Sequence, residues 1–541
     1  PPGWWRLGDA VAYNETASLA VLEYAARYRE SLLYNRYQAG RDQIARGRKV
    51  PPYAYVIPQE QRDPVAPVEL LRRLAFAGVR ILQLTEPFAL GGTVCPAGTW
   101  VIPTDQEFGA LVRELLDIQK YPDLRQYPGG PPMRPYDAAG WTLPLQMGIR
   151  WQALSAPLPD EARSRTKLLG PPPDPKSKPF PYDSTSSADA APFDSVPGIG
   201  FDSHPAAAAI LPPPGSVSGS GPALALDPAQ NNSFRALNLA WNTGASVGFL
   251  AASAGAGARY VISGLPETKQ SEVVRSLALV AERTAATGRP LKRPRIGLYE
   301  PWGGSMDAGW TRWLLERYGF EFAVLRPEDF HASLADKVDV LILADDARVP
   351  VEGAAGGRGG RGGGAARAVR PEYAYTLTQD DLKGFEAFIR AGGTLVCFNN
   401  AARFAIQQFR LPVKNAVEGL KPEEFFLRGS IVEVVVDPTH PVMAGMPDKA
   451  AVFVDGSPVF ETLEGFRGTV LARYPESGSP LLSGYLIGEK FLHGKAAALD
   501  AEFGAGHVVL IGFRPQWRCQ PFGTFRVVFN AALYAKRESS P

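Results

Sequence analysis

The constraint that narrows this 541-residue chain most is the pattern from Pro294 onward, where short, nearly all-apolar runs alternate with helical periodicity. Arg295 to Tyr299 reads as a strand, Ser305 as the N-cap of a helix carrying Met306, Trp310, Trp313 and Leu314, and Phe320 to Leu325 and Val338 to Leu343 as two further strands. Thr378 and Asp381 have capping-box spacing ahead of Leu382, Phe385, Phe388 and Ile389, and Gly392-Gly393 stop that helix before a strand over Thr394 to Phe398. Strands apolar on both faces and separated by helices predict an α/β fold with a mostly parallel sheet covered on both sides. Strand-like segments continue from Ile431 to Gly512, and Phe525 to Leu533 reads as a closing helix.

The length allows about three or four domains, and the pattern divides the chain into five stretches. Residues 1–50 hold a long amphipathic helix from Asn14 to about Ala45, with Leu19, Leu22, Ala26 and Leu33 on one face. Such a helix must pack on something, either the next domain or a domain missing upstream. Residues 51–150 read as a small α/β domain. Tyr53 to Ile57 is a strand, Asp63-Pro64 opens a helix, Gly78 closes it and Val79 to Leu84 is a second strand, an order that predicts a right-handed crossover and parallel pairing. Within it Val56-Ile57-Pro58 echoes Val101-Ile102-Pro103, a duplicated βα element, and Thr104 and Glu107 have capping-box spacing before the second helix. Residues 151–205 turn rich in Pro, Ser and Asp and read as a linker or arm. Residues 206–293 regain order as an α/β segment packing on the last domain, with a helix over Pro228 to Trp241 and strands over Ser246 to Leu250 and Arg259 to Ser263. Residues 294–541 are the α/β domain already described, interrupted by a Gly-rich insertion at 353–369 that lacks phosphate-loop spacing.

Composition excludes some functions. The formal charge of +2 provides no basic field for nucleic acid. The uncharged stretch from Ala236 to Ala258 is broken by Asn, Gly and Ser, which argues against a transmembrane segment. The chain opens Pro1-Pro2-Gly3 without a signal sequence, as a processed product or a fragment would. Three cysteines cannot make a disulfide framework, Cys95, Cys397 and Cys519 lie too far apart in sequence for a CxxC-type metal clasp, and none of the five histidines begins a zinc-binding pattern. No metal ligand and no catalytic residue is assigned. Cys397 ends a strand without flanking glycine and reads as a buried core thiol; the alternative is a hydrolase or amidotransferase nucleophile. Open α/β sheets bind ligands beyond the carboxyl ends of their strands. Those ends carry Glu300, Trp302, Asp345, Asp346, Asn399, Asn400, Arg514 and Trp517, which form either a polar, aromatic ligand cleft or a set of caps that pair with one another.

Several segments resemble the C-terminal part of bacterial zinc-carboxypeptidase-like proteins of the carboxypeptidase A-type metallopeptidase family. They are Gly3-Trp4-Trp5-Arg6, Arg29-Glu30-Ser31-Leu32-Leu33, Tyr55-Val56-Ile57-Pro58, Ala97-Gly98-Thr99-Trp100-Val101-Ile102-Pro103, Tyr121-Pro122-Asp123-Leu124, Tyr136-Asp137-Ala138-Ala139-Gly140-Trp141-Thr142-Leu143-Pro144 and Gln407-Gln408-Phe409-Arg410-Leu411-Pro412-Val413-Lys414-Asn415. The resemblance implies a secreted or periplasmic protein whose zinc belongs to an upstream peptidase domain, because the family's His-x-x-Glu pair, later His ligand and catalytic Glu have no counterparts here. No cofactor is expected in this chain, and its partners would be that peptidase domain or further copies of itself, including as a subunit of an extracellular homo-oligomer or filament. Residues 294 to 535, through their strand pattern and Phe388-Ile389-Arg390-Ala391-Gly392-Gly393-Thr394-Leu395-Val396, are similar to the class I glutamine-amidotransferase-like, flavodoxin-like fold. The reactive Cys of that family falls near Asn399, which implies a catalytically silent relative.

Overall fold

The computed structural model describes residues 4–169, 205–253, 255–331, 333–345, 349 and 377–535, a mixture of helices and sheets. Two compact units share the chain, one built from Pro1–Val56, Ala77–Arg113 and Gln152–Leu169, the other from Ile57–Phe76, Glu114–Trp151 and Gly170–Pro541. The units therefore interleave in sequence and do not follow the stretches expected above. No helix among the described residues is long and apolar enough to cross a membrane.

In the first unit the expected N-terminal helix is two, α1 (Leu7–Arg27) and α2 (Arg29–Gly47), broken at Tyr28 (φ −108°, ψ 18°) without a Gly or Pro. The expectation that this helix packs against a neighbour is not met by α1, none of whose residues is buried. Instead α2 makes the approach through Gly47, where a Cβ would lie 2.3 Å from the Thr104 carbonyl oxygen. A five-stranded sheet follows from β1 (Ala54–Ile57), β2 (Leu82–Leu84), β3 (Trp100–Pro103), β4 (Gln152–Leu154) and β5 (Thr166–Leu168), in the order β4-β1-β3-β2-β5. Val56, Leu84, Val101 and Leu154 form its core.

Three expectations are corrected here. β1 and β2 are not paired neighbours, because β3 lies between them, so the predicted parallel pairing of the two is absent. The helix that joins them in sequence belongs to the other unit. Residues 155–169 are not linker, since Asp160–Ser164 is helical and β5 is a sheet strand. The capping box at Thr104 and Glu107 does not form: the Thr104 hydroxyl donates to the Pro52 and Tyr53 carbonyls, Glu107 pairs with Arg80, and the helix starts only at Gly109. Most of the expected arm, residues 170–204, and the Gly-rich insertion lie outside the described residues.

The second unit begins with α3 (Ala66–Phe76), whose buried Glu69 pairs with Arg317 at 2.6 Å, both side chains 2% exposed. A six-stranded sheet comprises β6 (Ser216–Gly219), β7 (Ala223–Leu226), β8 (Ser246–Leu250), β9 (Arg259–Ser263), β10 (Val280–Thr284) and β11 (Arg289–Pro290), ordered β11-β8-β9-β7-β10-β6 and antiparallel except for β10 with β6. A second, twelve-stranded sheet contains β12 (Ile296–Tyr299), β13 (Phe322–Leu325), β14 (Val340–Leu343), β15 (Thr394–Phe398), β16 (Ser430–Val436), β17 (Lys449–Val454), β18 (Gly468–Arg473), β19 (Ala496–Phe503) and β20 (Gly506–Ile511). Its main line runs β13-β12-β14-β15-β20-β19-β18-β16-β17, parallel as far as β20 and antiparallel beyond.

Helices α4 (Asn232–Asn242), α5 (Met306–Arg317), α6 (Gln379–Arg390), α7 (Ala401–Gln408) and α8 (Phe525–Ala532) accompany these sheets. At α6 the predicted cap is present, with the Thr378 hydroxyl accepting from Asp381 N and the Asp381 carboxylate accepting from Thr378 N. Every residue of α8 is buried. Its Phe529 ring stacks on Phe320 at 5.3 Å and meets Phe234 of α4 at 4.9 Å, an aromatic cluster that ties residues before Pro294 into the last domain.

Candidate functional site

The parallel register aligns Tyr299 with Leu343, Leu343 with Cys397, and Phe398 with Ile511. It follows that Glu300, Asp345, Asn399 and Arg514 all leave the same carboxyl edge of the sheet. Ser305 begins α5 by accepting from Ala308 N at 2.9 Å, and this start delivers the buried Asp307 to the edge as well.

Arg514 is the hub. Its Nη2 donates to Asp307, its Nε lies 3.4 Å from Asp345 Oδ2 and its Nη1 lies 3.4 Å from Asp455 Oδ2. The guanidinium is 12% exposed and Asp307 only 2%, so these are interactions in a partly dry environment, where partner loss is costly. The other oxygen of Asp345 accepts from Asn399 Nδ2 at 2.9 Å and from Asn400 N at 2.8 Å. Asn399 is fully buried at the turn from β15 into α7, and its φ of +51° is a left-handed conformation that few residues other than Gly adopt. Its amide N–H donates to the Ile511 carbonyl at 2.7 Å, which fixes the turn against β20.

Farther along, Arg326 lies 3.6 Å from Glu300 Oε1 and 4.5 Å from the centre of the Trp302 ring, while Trp302 Nε1 donates to Glu328 at 2.9 Å. The edge thus holds five residues of the predicted set, Glu300, Trp302, Asp345, Asn399 and Arg514, in polar contacts that the chain supplies itself, and Asn400 through its backbone. Trp517 is not among them. It is buried and stacks on Phe453 with centroids 3.8 Å apart and planes 15° from parallel, because the chain after Arg514 turns that indole into an apolar cluster with Ile431. Asp346 lies outside the described residues. Sequence reasoning missed Asp307, Asp455, Arg326 and Glu328; the position of Asp307 two residues after the Ser305 cap was the one local signal available.

The cysteine weighed as a nucleophile does not reach this edge. Cys397 is completely buried within β15, and burial pushes its thiol far above the ordinary range, which suppresses the thiolate. Among the described residues no group of three or more His, Cys, Asp or Glu is placed to hold a metal ion. A cavity of about 560 Å³ opens at the opposite, amino edge, where Asp339, Gly392, Gly393 and Tyr534 line it.

Beside Tyr534 is a polar cluster that the sequence did not announce. Asp500 lies 3.2 Å from His440 Nε2 and 3.1 Å from His507 Nδ1, and accepts from the Tyr534 hydroxyl at 2.9 Å. His440 Nδ1 accepts the Val442 N–H, which leaves Nε2 to carry the proton facing Asp500. Burial works against the charged carboxylate, but the hydrogen bonds from His440 and His507 outweigh it and hold Asp500 down at about 2.

No family model matches the chain, and no curated protein matches its sequence. Solved structures similar to part of it include a cytoplasmic protein of Salmonella typhimurium, at 13% identity over 45% of this chain and 100% of its own, with a TM-score of 0.29. Another is a β-galactosidase from Bacillus circulans sp. alkalophilus, at 13% identity over 44% of this chain and 31% of its own, with a TM-score of 0.26. A ThuA-like protein from Bacteroides uniformis matches at 14% identity over 46% of this chain and 93% of its own, with a TM-score of 0.25. Similarity at this level carries no assignment to this chain.

Proposed function

We propose that this chain has no catalysis of its own and serves in binding or assembly, as an accessory region of an exported zinc-carboxypeptidase-like protein. The parentage rests on the residue resemblance alone. In that reading residues 294–541 are a silent glutamine-amidotransferase-like domain, and zinc belongs to a peptidase domain elsewhere in the parent. The flavodoxin-like part of the reading is supported by the strand order β13-β12-β14-β15-β20, which is second, first, third, fourth and last in chain order.

The observation that carries the reading is Asn399. The strand-to-helix turn, where a reactive side chain stands in a nucleophile elbow, is kept with positive φ, but the residue there is an amide tied to Asp345. The surrounding carboxylates are engaged by Arg514, Asn399 and Asn400, so the edge is built as a self-paired network.

Assembly, with a second copy or the peptidase domain as partner, is favoured by α1. Leu7, Val11, Leu19, Val21 and Leu22 are each more than half exposed on a helix that buries nothing. An apolar surface of that length is characteristic of a helix that is covered in its working state.

Metal analysis and peptidase assays on the purified chain, with light scattering, test both halves. The expected result is no stoichiometric zinc, no release of C-terminal residues from peptides, and an associated species that Leu19→Lys with Leu22→Lys converts to monomer. Stoichiometric zinc with carboxypeptidase turnover overturns the non-catalytic reading, and a wild-type chain that is monomeric and binds no partner domain overturns assembly.

A further inference from the structure

A second cavity, of about 310 Å³, is walled by Leu145, Ile149, Met446 and Leu482 and reached by Arg62 and Arg526. Arg526 lies on the buried helix α8 and is only 4% exposed. Its Nη1 donates to the Gly445 carbonyl at 3.0 Å, and Arg62 Nη2 donates to the same oxygen at 3.2 Å. Gly445 has φ +78° and packs so closely on the segment at Pro228 and Ala229 that a Cβ there would be 2.4 Å from Ala229 N.

Two guanidiniums therefore converge on one neutral acceptor. Among the described residues neither has a carboxylate within ion-pair distance, and Arg526 Nε is buried with no partner. Asp63, which accepts from the Val65 and Asn231 amides, acts on Arg526 only through its field. The other charges at the cavity, Glu433 and Lys449, pair with each other at 3.4 Å. Burial, with a further push from Arg62, pulls Arg526 down to about 10 despite the opposing fields of Asp63 and Asp227.

A charge removed from water, as that of Arg526 is, is normally matched by a partner, and a planar oxyanion is one whose two oxygens can meet both that guanidinium and the exposed one of Arg62. The walls beyond them are apolar, and the volume suits a small molecule. We propose that this cavity binds a small carboxylate with an apolar body, its oxygens bridging Arg62 and Arg526 and its hydrocarbon lying among Leu145, Ile149, Met446 and Leu482. The site is independent of the edge network around Arg514 and of any zinc.

Calorimetric titration of the full chain at low ionic strength with benzoate and hexanoate, and with benzamide and hexanamide as neutral counterparts, tests it. The carboxylates are expected to bind, with the amides at least about tenfold weaker. Arg62→Gln, at an exposed position where folding is preserved, is expected to weaken carboxylate binding by about tenfold or more. Leu145→Trp, which fills the cavity, is expected to abolish it. No carboxylate binding up to about 10 mM, equal affinity for the amides, or an unchanged affinity in Arg62→Gln overturns the proposal. Tighter binding of phenyl phosphate than of benzoate also overturns it, in favour of a tetrahedral oxyanion.

Discussion

Arg514 and Arg526 are twelve positions apart, lie in the same unit and are both largely withdrawn from solvent, yet their surroundings are opposite. Arg514 is met by Asp307, Asp345 and Asp455. Arg526 is met by the Gly445 carbonyl and a second guanidinium. The same side chain is a structural hub where the chain brings its own counter-charges and a ligand-binding group where it does not. Electrostatic sufficiency, more than burial or position on the sheet, separates the two regions. The carboxyl edge, where sheet topology alone directs attention, is the one whose charges are paired, although Glu300 Oε2, Asn399 Oδ1 and Arg514 Nε are buried there without a hydrogen bond among the described residues.

The sharpest way to break this contrast is to remove the hub. Arg514→Met removes the cation that Asp307 and Asp345 share and is expected to cost about 3–5 kcal/mol in denaturant unfolding, because buried carboxylates lose a counter-charge. A loss under about 1 kcal/mol would show that the edge network is not structural.

Asp500 provides an intermediate case, a buried carboxylate satisfied by neutral or cationic histidines and not by arginine. Asp500→Asn is expected to cost about 2 kcal/mol at neutral pH, from a folded-state value of about 2 against 3.8 for the unfolded chain. The sign follows from the lowered value. The contribution is fully present above about pH 4 and fades as pH falls toward 2, so wild type and variant should converge in stability across that window. Parallel stability curves from pH 5 down to 2 would remove the carboxylate from this role.

The smallest effect is expected at Arg526 itself. Arg526→Met exchanges one hydrogen bond to Gly445 for relief of an unpaired buried charge, and the unfolding free energy should stay within about 1 kcal/mol of wild type. If it falls as far as in Arg514→Met, Asp63 is the partner of Arg526 and the two regions are alike.

Much of the second unit was legible residue by residue. The strands Ser246–Leu250, Arg259–Ser263 and Thr394–Phe398 have the bounds their apolar runs predict, and the Thr378–Asp381 box closes as its spacing requires. The equivalent spacing at Thr104 and Glu107 failed, because the Thr104 hydroxyl found the Pro52 and Tyr53 carbonyls on a segment some fifty residues earlier. At the candidate site, the strand-end positions of Glu300, Asp345, Asn399 and Arg514 were readable from the alternation of strand and helix. That they pair with one another was one of the two readings of the sequence; which partners meet, and that Asp307 and Asp455 join them, was not legible, and the same alternation wrongly placed Trp517 in the crevice. Arg526 was invisible because it sits within the apolar run Phe525 to Leu533, where a charged residue reads as the exposed face of a helix and is in fact buried.

The amino-acid sequence by itself determined local matters in the second unit: where strands such as Arg259–Ser263 and Thr394–Phe398 run, that the helix after Thr378 is capped, and that the thiol of Cys397 belongs to a core strand. Those follow from hydrogen bonds three or four residues apart and from the period at which apolar side chains recur. Only the tertiary structure decided that β3 separates β1 from β2, that Asp307 meets Arg514 across 207 positions, and that Arg62 shares an acceptor with Arg526. Those contacts depend on how distant segments are brought together by burial, and no pattern confined to a few neighbouring residues encodes which charge will face which.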